Sequence, residues 1–193
     1  APGASRTSSS TSSGRGAVYI FTRSGTTWSE QVILAGNDYN VTPITGSGQF
    51  GCAVSFDDGA NSLVVGNEFA DSPAAANCGA VDVFTRSGTT WTHQAQLIDD
   101  QVNSSNFGHD VRCNKDNTVI TVGSYGDDAQ NTNYGAVYVF DRIGDFTQWR
   151  LRNKFHHYTT DGSGASNGDQ LGRRVGIDNA GTTIMSGAYG NDQ

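Results

Sequence analysis

Three near-copies of one short segment constrain this chain more than anything else in it. Residues 16–28 read GAVYIFTRSGTTW and residues 79–91 read GAVDVFTRSGTTW, identical at 11 of 13 positions. Residues 135–149 read GAVYVFDRIGDFTQW, the same unit with two extra residues in its turn. A second marker interleaves with the first: QFGCAV from Gln49, NFGHDV from Asn106 and QLGRRV from Gln170. A third follows it: SLVVG ending at Gly66, VITVG ending at Gly123 and TIMSG ending at Gly187. Self-similarity of this kind signals stacked supersecondary units, each burying its apolar face against its neighbours.

The spacing divides each unit into a fixed part and a variable part. The Phe or Leu of the second marker precedes the Gly of the third by 16 residues in every copy (50 to 66, 107 to 123, 171 to 187). The other gaps vary: 22, 16 and 22 residues separate each Trp from the next Phe or Leu. Each unit reads as four strands. Strand A starts at Phe-Gly and runs to about Phe56 in its first copy. Strand B is the LVVG run and strand C the GAVYVF run. Strand D begins at the Trp and ends near Leu34, Leu97 or Leu151. Ser24-Gly25-Thr26 and Ser87-Gly88-Thr89 supply tight-turn residues between C and D. Strand C places apolar residues on both faces, as a sheet covered on both sides requires. Composition agrees: 25 glycines, one Met, and Ser, Thr, Asn and Asp crowded between short apolar runs.

These markers resemble the FG-GAP family, best known from the propellers of integrin α chains. The resemblance rests on QFG/NFG, on LVVG, and on GAVYVF, and it covers nearly all of the chain after residue 15. It implies an all-β fold, a β-propeller of about seven four-stranded antiparallel blades. On this reading residues 1–193 form one partial propeller. Residues 1–48 hold strands C and D of a first blade, 49–97 and 107–155 are two full blades, and 170–193 hold strands A and B of a last one. About three repeats are present, two full blades and two half-blades, so further blades or other protein chains are expected to complete the wheel. The chain opens on Ala1 and shows no leader, which points to a mature, processed or partial chain.

In an up-and-down blade the A–B and C–D turns share one end and the B–C and D–A connections the other. The largest length changes all fall at the second end, where loops are least restrained and most often carry function. Its candidate binding residues are Tyr39, Phe69, Tyr125, Asp127, Asp128, His156, His157 and Tyr158. Solvated connectors would look the same.

No catalytic or metal pattern emerges. The adjacent His156 and His157 have no zinc spacing. Asp57-Asp58 and Asp127-Asp128 are neighbours of the kind turns favour. No nucleophile elbow, phosphate loop or dinucleotide fingerprint is present. The family resemblance raises calcium, bound in the A–B turns of integrin-like repeats. The corresponding turns, 57–62, 114–119 and 178–183, are too short to supply about 6–8 oxygens. Plain Asx-type hairpins without a cofactor are expected instead.

Cys113 aligns with Phe56 and Ile177, an apolar slot, and is expected to be a buried free thiol. Cys52 aligns with His109 and Arg173, and Cys78 with Tyr134 and Arg15. A Cys52–Cys78 disulfide and three free thiols are both open. Asn40 and Asn103 are glycosylation acceptors, each twelve residues after its Trp. Residues 5–13 form a Ser/Thr-rich stretch, an ordered long loop or a flexible, O-glycosylated one.

A net charge of −7 with two lysines argues against nucleic acid as a partner, because phosphate contacts need clustered Lys and Arg. No apolar stretch reaches the ~20 residues of a membrane helix. The expected function is therefore extracellular or cell-surface binding and scaffolding through protein partners, without catalysis. The alternatives are a lectin-like propeller that takes glycans, or an accessory domain of a larger secreted enzyme.

Overall fold

The computed structural model of the chain describes residues 16–35, 48–71, 76–99, 104–127, 134–156 and 168–190. Twelve strands and no helix occur among them. The first sheet holds β1 (Ala17–Ser24) and β2 (Thr27–Ala35). The next holds β3 (Phe50–Phe56), β4 (Ser62–Asn67), β5 (Ala80–Ser87) and β6 (Thr90–Leu97), in that order. The third holds β7 (Asp110–Cys113), β8 (Val119–Ser124), β9 (Ala136–Arg142) and β10 (Trp149–His156), also in chain order. The last pairs β11 (Leu171–Ile177) with β12 (Ile184–Ala188). Every pairing within these sheets is antiparallel. The all-β, four-stranded blades expected from the repeat are thus present: two complete meanders flanked by two hairpins. Strand D of the third unit runs beyond Leu151 to His156, across a register shift between Leu151 and Asn153.

The core lies between blades rather than within them. One cluster joins Val18, Ile20 and Leu34 of the first hairpin to Phe50, Leu63, Val65, Phe84 and Trp91 of the next sheet. A second joins Val64, Val81, Val83 and Leu97 to Phe107, Val111, Ile120, Val122, Tyr138 and Phe140. Phe107 is wholly buried, edge-on to Tyr138 at 5.0 Å and to Phe140 at 6.0 Å. Burial on both faces explains the continuous apolar runs of β4 and β5.

The glycine markers meet at the blade junctions. A Cβ on Gly66 would stand 2.0 Å from the Gly108 carbonyl oxygen, and one on Gly123 would stand 1.9 Å from that of Gly172. Gly79 and Gly135 each bridge in parallel to the next blade, at Phe107 and Leu171. Gly108 holds a φ of +90° and Gly172 one of +92°, which glycine adopts freely. The three markers, far apart in sequence, are therefore one contact: the backbone of each blade pressed against that of the next.

Strand A carries further ties between blades. Ser55 Oγ accepts the Cys113 N–H at 3.2 Å, and Asp110 Oδ2 accepts the Val175 N–H at 3.0 Å. The A–B turns also line up, with the Asp58 N–H donating to the Lys115 carbonyl and the Lys115 N–H to that of Asn179. Within each turn the first side chain closes the loop. Asp57 Oδ1 accepts from Asn61 and Ser62, Asn114 Oδ1 from Thr118 and Val119, and Asp178 Oδ1 from Thr182 and Thr183. These are the Asx-type hairpins the sequence suggests. Among the described residues no helix is long and apolar enough to cross a membrane.

Two outcomes follow from this geometry. Gly123→Ala has an ordinary φ to work with but a backbone oxygen in its way. It should lower the urea midpoint by an amount equivalent to about 1–3 kcal/mol or more. Asp178 is held below its usual value of 3.8 chiefly by the Thr183 N–H. A depressed carboxylate stabilises the fold above its unfolded pKa, and that contribution fades as pH falls through and below about 4. Asp178→Asn should therefore keep the turn but flatten the acid limb of a stability–pH curve, whereas Asp178→Ala should lose the turn contribution at every pH.

Candidate functional site

The end of the blades carrying the B–C connections bears a continuous row of side chains. It is built from two repeat slots. The residue after each Phe/Leu-Gly, at the start of strand A, supplies Cys52, His109 and Arg173. The second residue after each strand-B glycine supplies Glu68, Tyr125 and Tyr189. Because strand A of one blade abuts strand B of the blade before it, the two slots alternate along the junctions.

The contacts follow that order. Cys52 Sγ donates to the Gly108 carbonyl at 3.3 Å. His109 Nδ1 lies 2.7 Å from Oε2 of the buried Glu68 of the preceding blade. A carboxylate oxygen accepts, so Nδ1 carries the proton in this pair. The His109 ring meets Tyr125 of its own blade edge-on at 4.6 Å. The Arg173 guanidinium of the following blade lies over Tyr125 at 4.3 Å and reaches Tyr189 at 5.8 Å, while its Nε donates to Gln170. Such cation–aromatic contacts are attractive through the ring quadrupole. Tyr189, 84% exposed, ends the row in solvent.

Burial dominates the electrostatics of the row. Burial pushes the Cys52 thiol up to about 11, and the Glu68 charge adds to the rise. The residue as a whole is exposed, but its sulfur is packed against the Gly66–Gly108 junction. A reactive thiol needs the opposite shift. Burial also raises the Tyr125 hydroxyl; Glu68 reinforces this and Arg173 opposes it.

The residues expected from the sequence fare unevenly. Tyr125 lies in the row, and Phe69 is half-buried beside Glu68. Asp127 does not face a ligand. It is wholly buried, accepting from the Tyr138 hydroxyl at 2.5 Å and pairing with Lys154 Nζ at 3.0 Å, so its charge is consumed inside the blade. His156 is half-buried at the end of β10, opposite Ala136. Tyr39, Asn40, Asn103, Asp128, His157 and Tyr158 lie outside the described residues.

The Cys52–Cys78 disulfide is not formed; all three cysteines are free. The Cys78 thiol is buried and donates to the Ala70 carbonyl, away from Cys52. Strand β4 lies between the strands that carry or follow these residues. Two strand spacings, about 9.5 Å, exceed the ~7 Å Cα separation a bridge tolerates. Cys113 is free as expected but only half-buried, its sulfur 3.4 Å from Ser55 Oγ. His109, Arg173 and Tyr189 were missed as site residues. Their shared repeat slots were the available signal.

Alkylation of Cys52 offers a direct check. Relative to a thiol at 9.0, one at about 11 holds roughly 100-fold less thiolate near neutral pH. Iodoacetamide labelling followed by peptide mass spectrometry should show correspondingly slow modification despite the exposure, with the rate rising only toward pH 11.

No curated protein matches the chain. Residues 91–140 match the family model of the FG-GAP repeat. That span contains Phe107-Gly108, Gly123 and the GAVYVF run, and the same junction geometry recurs on either side of it. Residues 91–140 are therefore similar to the FG-GAP repeat.

Proposed function

We propose that this chain is an extracellular or cell-surface binding module that grips a protein partner through the row Glu68, His109, Tyr125, Arg173 and Tyr189. It acts as an adhesion or assembly surface and performs no reaction. One observation carries this reading. The row runs across three consecutive blades and changes chemistry at each step, while the glycine junctions beneath it stay the same. A surface needed only for folding would repeat with its scaffold. Tyr and Arg are also the residue types that dominate binding hot spots. The raised Cys52 thiol speaks against nucleophilic chemistry at this end. No cofactor is invoked, because the A–B turn oxygens already accept backbone N–H groups.

A glycan-binding reading has one observation in its favour: Tyr125 and Tyr189 occupy the same slot in successive blades. Arg173 already covers the Tyr125 ring, however, which removes a stacking face from any sugar.

The test is a screen of the purified chain against arrayed ectodomain proteins and arrayed glycans, repeated with Arg173→Ala and Tyr189→Ala. Arg150→Ala, on the exposed strand β10, is the control. The rim variants should weaken protein binding by roughly 30-fold, the effect of losing a hot spot of about 2 kcal/mol. The control should not. Rim-dependent binding to glycans alone would favour the lectin reading, and binding insensitive to both rim variants would overturn the site.

A further inference from the structure

Arg173 is the fixed cation of the row, and no carboxylate among the described residues neutralises it. Its Nε donates to Gln170 Oε1 at 2.9 Å, and one side of the guanidinium rests on the Tyr125 ring at 4.3 Å. Gln170 carries no charge, and burial raises the Tyr125 hydroxyl above its ordinary value, so Tyr125 stays neutral too. Nη1 and Nη2 of Arg173 have no hydrogen-bond or ion-pair partner among the described residues, and neither is enclosed. We propose that these two nitrogens take the side-chain carboxylate of an Asp or Glu on the protein partner. The proposal rests on the row being the binding face and names the group that the row grips.

The chain has acid to spare, with 19 Asp and Glu against 12 Lys and Arg. Other guanidiniums use it. Arg112 lies 2.7 Å from Asp110, and Arg150 and Arg152 lie 3.5 Å and 3.4 Å from Asp141. In the row itself the one carboxylate, Glu68, is committed elsewhere. Its Oε2 accepts from His109 Nδ1 at 2.7 Å, and the residue is buried in the preceding junction. Arg173 is thus held in place by groups that leave both its charge and its outer donors available. A guanidinium fixed in advance loses less conformational freedom when an anion arrives.

The shape of the site selects among anions. A guanidinium fork offers parallel N–H donors that match the two oxygens of a carboxylate. The Tyr125 ring beside it gives apolar surface to the methylene groups of Asp or Glu. A phosphate ester carries more negative charge than one guanidinium balances. Glu68, whose charge acts on Tyr125 together with that of Arg173, opposes any such excess. The site needs only Gln170, Arg173 and Tyr125. They meet at a junction whose two facing strands, β8 and β11, are both described.

The test reads the guanidinium directly. In the purified chain, nuclear magnetic resonance follows the Arg173 Nε–H and the Tyr125 ring as N-acetylglutamate amide, which bears one side-chain carboxylate, is added. The neutral N-acetylglutamine amide, methyl phosphate and methyl sulfate are titrated in parallel. The glutamate probe should shift both signals and saturate with a dissociation constant on the order of 1 mM, as suits a ligand of about thirteen heavy atoms. The glutamine probe should bind roughly tenfold more weakly. Arg173→Lys keeps the charge but loses the fork, and should weaken the glutamate probe about tenfold at the Tyr125 ring. Arg173→Gln should abolish saturation. Amide spectra that are unchanged away from the rim would show each variant folded, and the comparison of probes on the wild-type chain stands without the variants. Equal responses to the glutamate and glutamine probes, a shift that never saturates, or tighter binding of methyl phosphate or methyl sulfate would overturn the proposal. A folded lysine variant that binds as well as the wild type would do so too. Rim-dependent binding of an ectodomain without saturation by the glutamate probe would keep the row as an interface and remove the carboxylate. Saturation in a chain whose rim variants leave ectodomain binding unchanged would keep the carboxylate site and remove the protein-binding reading.

Discussion

The structure depends on one close approach, the backbone of each blade lying against the Phe/Leu-Gly carbonyl of the next. Gly66 faces Gly108 and Gly123 faces Gly172 at distances that leave no room for a methyl group. A close-packed interior tolerates little displacement, so this contact sets how near the blades stand. That nearness lets Phe107 fill the space between β4, β5 and its own sheet, and lets Ser55 and Asp110 reach backbone N–H groups of the following strand A. The apolar clusters, the strand-A ties and the alignment of the A–B turns all follow from it.

A junction made of backbone and glycine frees the side chains next to it. The residue after each Phe/Leu-Gly lies at the rim; Cys52 packs its sulfur against the junction, while His109 and Arg173 turn to Glu68 and Tyr125. Cys, His and Arg occupy that slot in turn, and Glu, Tyr and Tyr occupy the facing one. At the opposite end the turns are held alike, by an Asp or Asn oxygen taking two backbone N–H groups. One end of the array is thus uniform and the other is chemically varied. The same scaffold can carry different surfaces without loss of packing, which is how folds come to host many functions.

Much of this was legible in the repeat. The strands, their order, the covered sheet faces and the Asx turns could be read from spacing and residue type alone. The candidate site was legible only in part. Reading loops as a set of exposed residues found Tyr125 but also selected Asp127, which turns inward to Tyr138 and Lys154. Sequence position places a residue in a loop, but the direction of its side chain depends on partners from other strands. His109 and Arg173 share a repeat slot with Cys52, and the sequence alone does not show what faces that slot. Their role appears only when strand A of one blade is set beside strand B of another.

The sequence by itself determined the unit: four strands, fixed turns, and glycines wherever the backbone must come close. Tertiary structure decided what each copy of that unit experiences. AVYIF in β1 and AVYVF in β9 are nearly the same strand, yet Tyr19 is 56% exposed and Tyr138 is wholly buried. Trp28 and Trp91 each end the same run, FTRSGTTW, yet the first is 64% exposed and the second 7%. Local sequence sets backbone conformation and which face a side chain takes. Burial, ion pairing and the raised thiol of Cys52 belong to the neighbouring blade, and only the packed array supplies one.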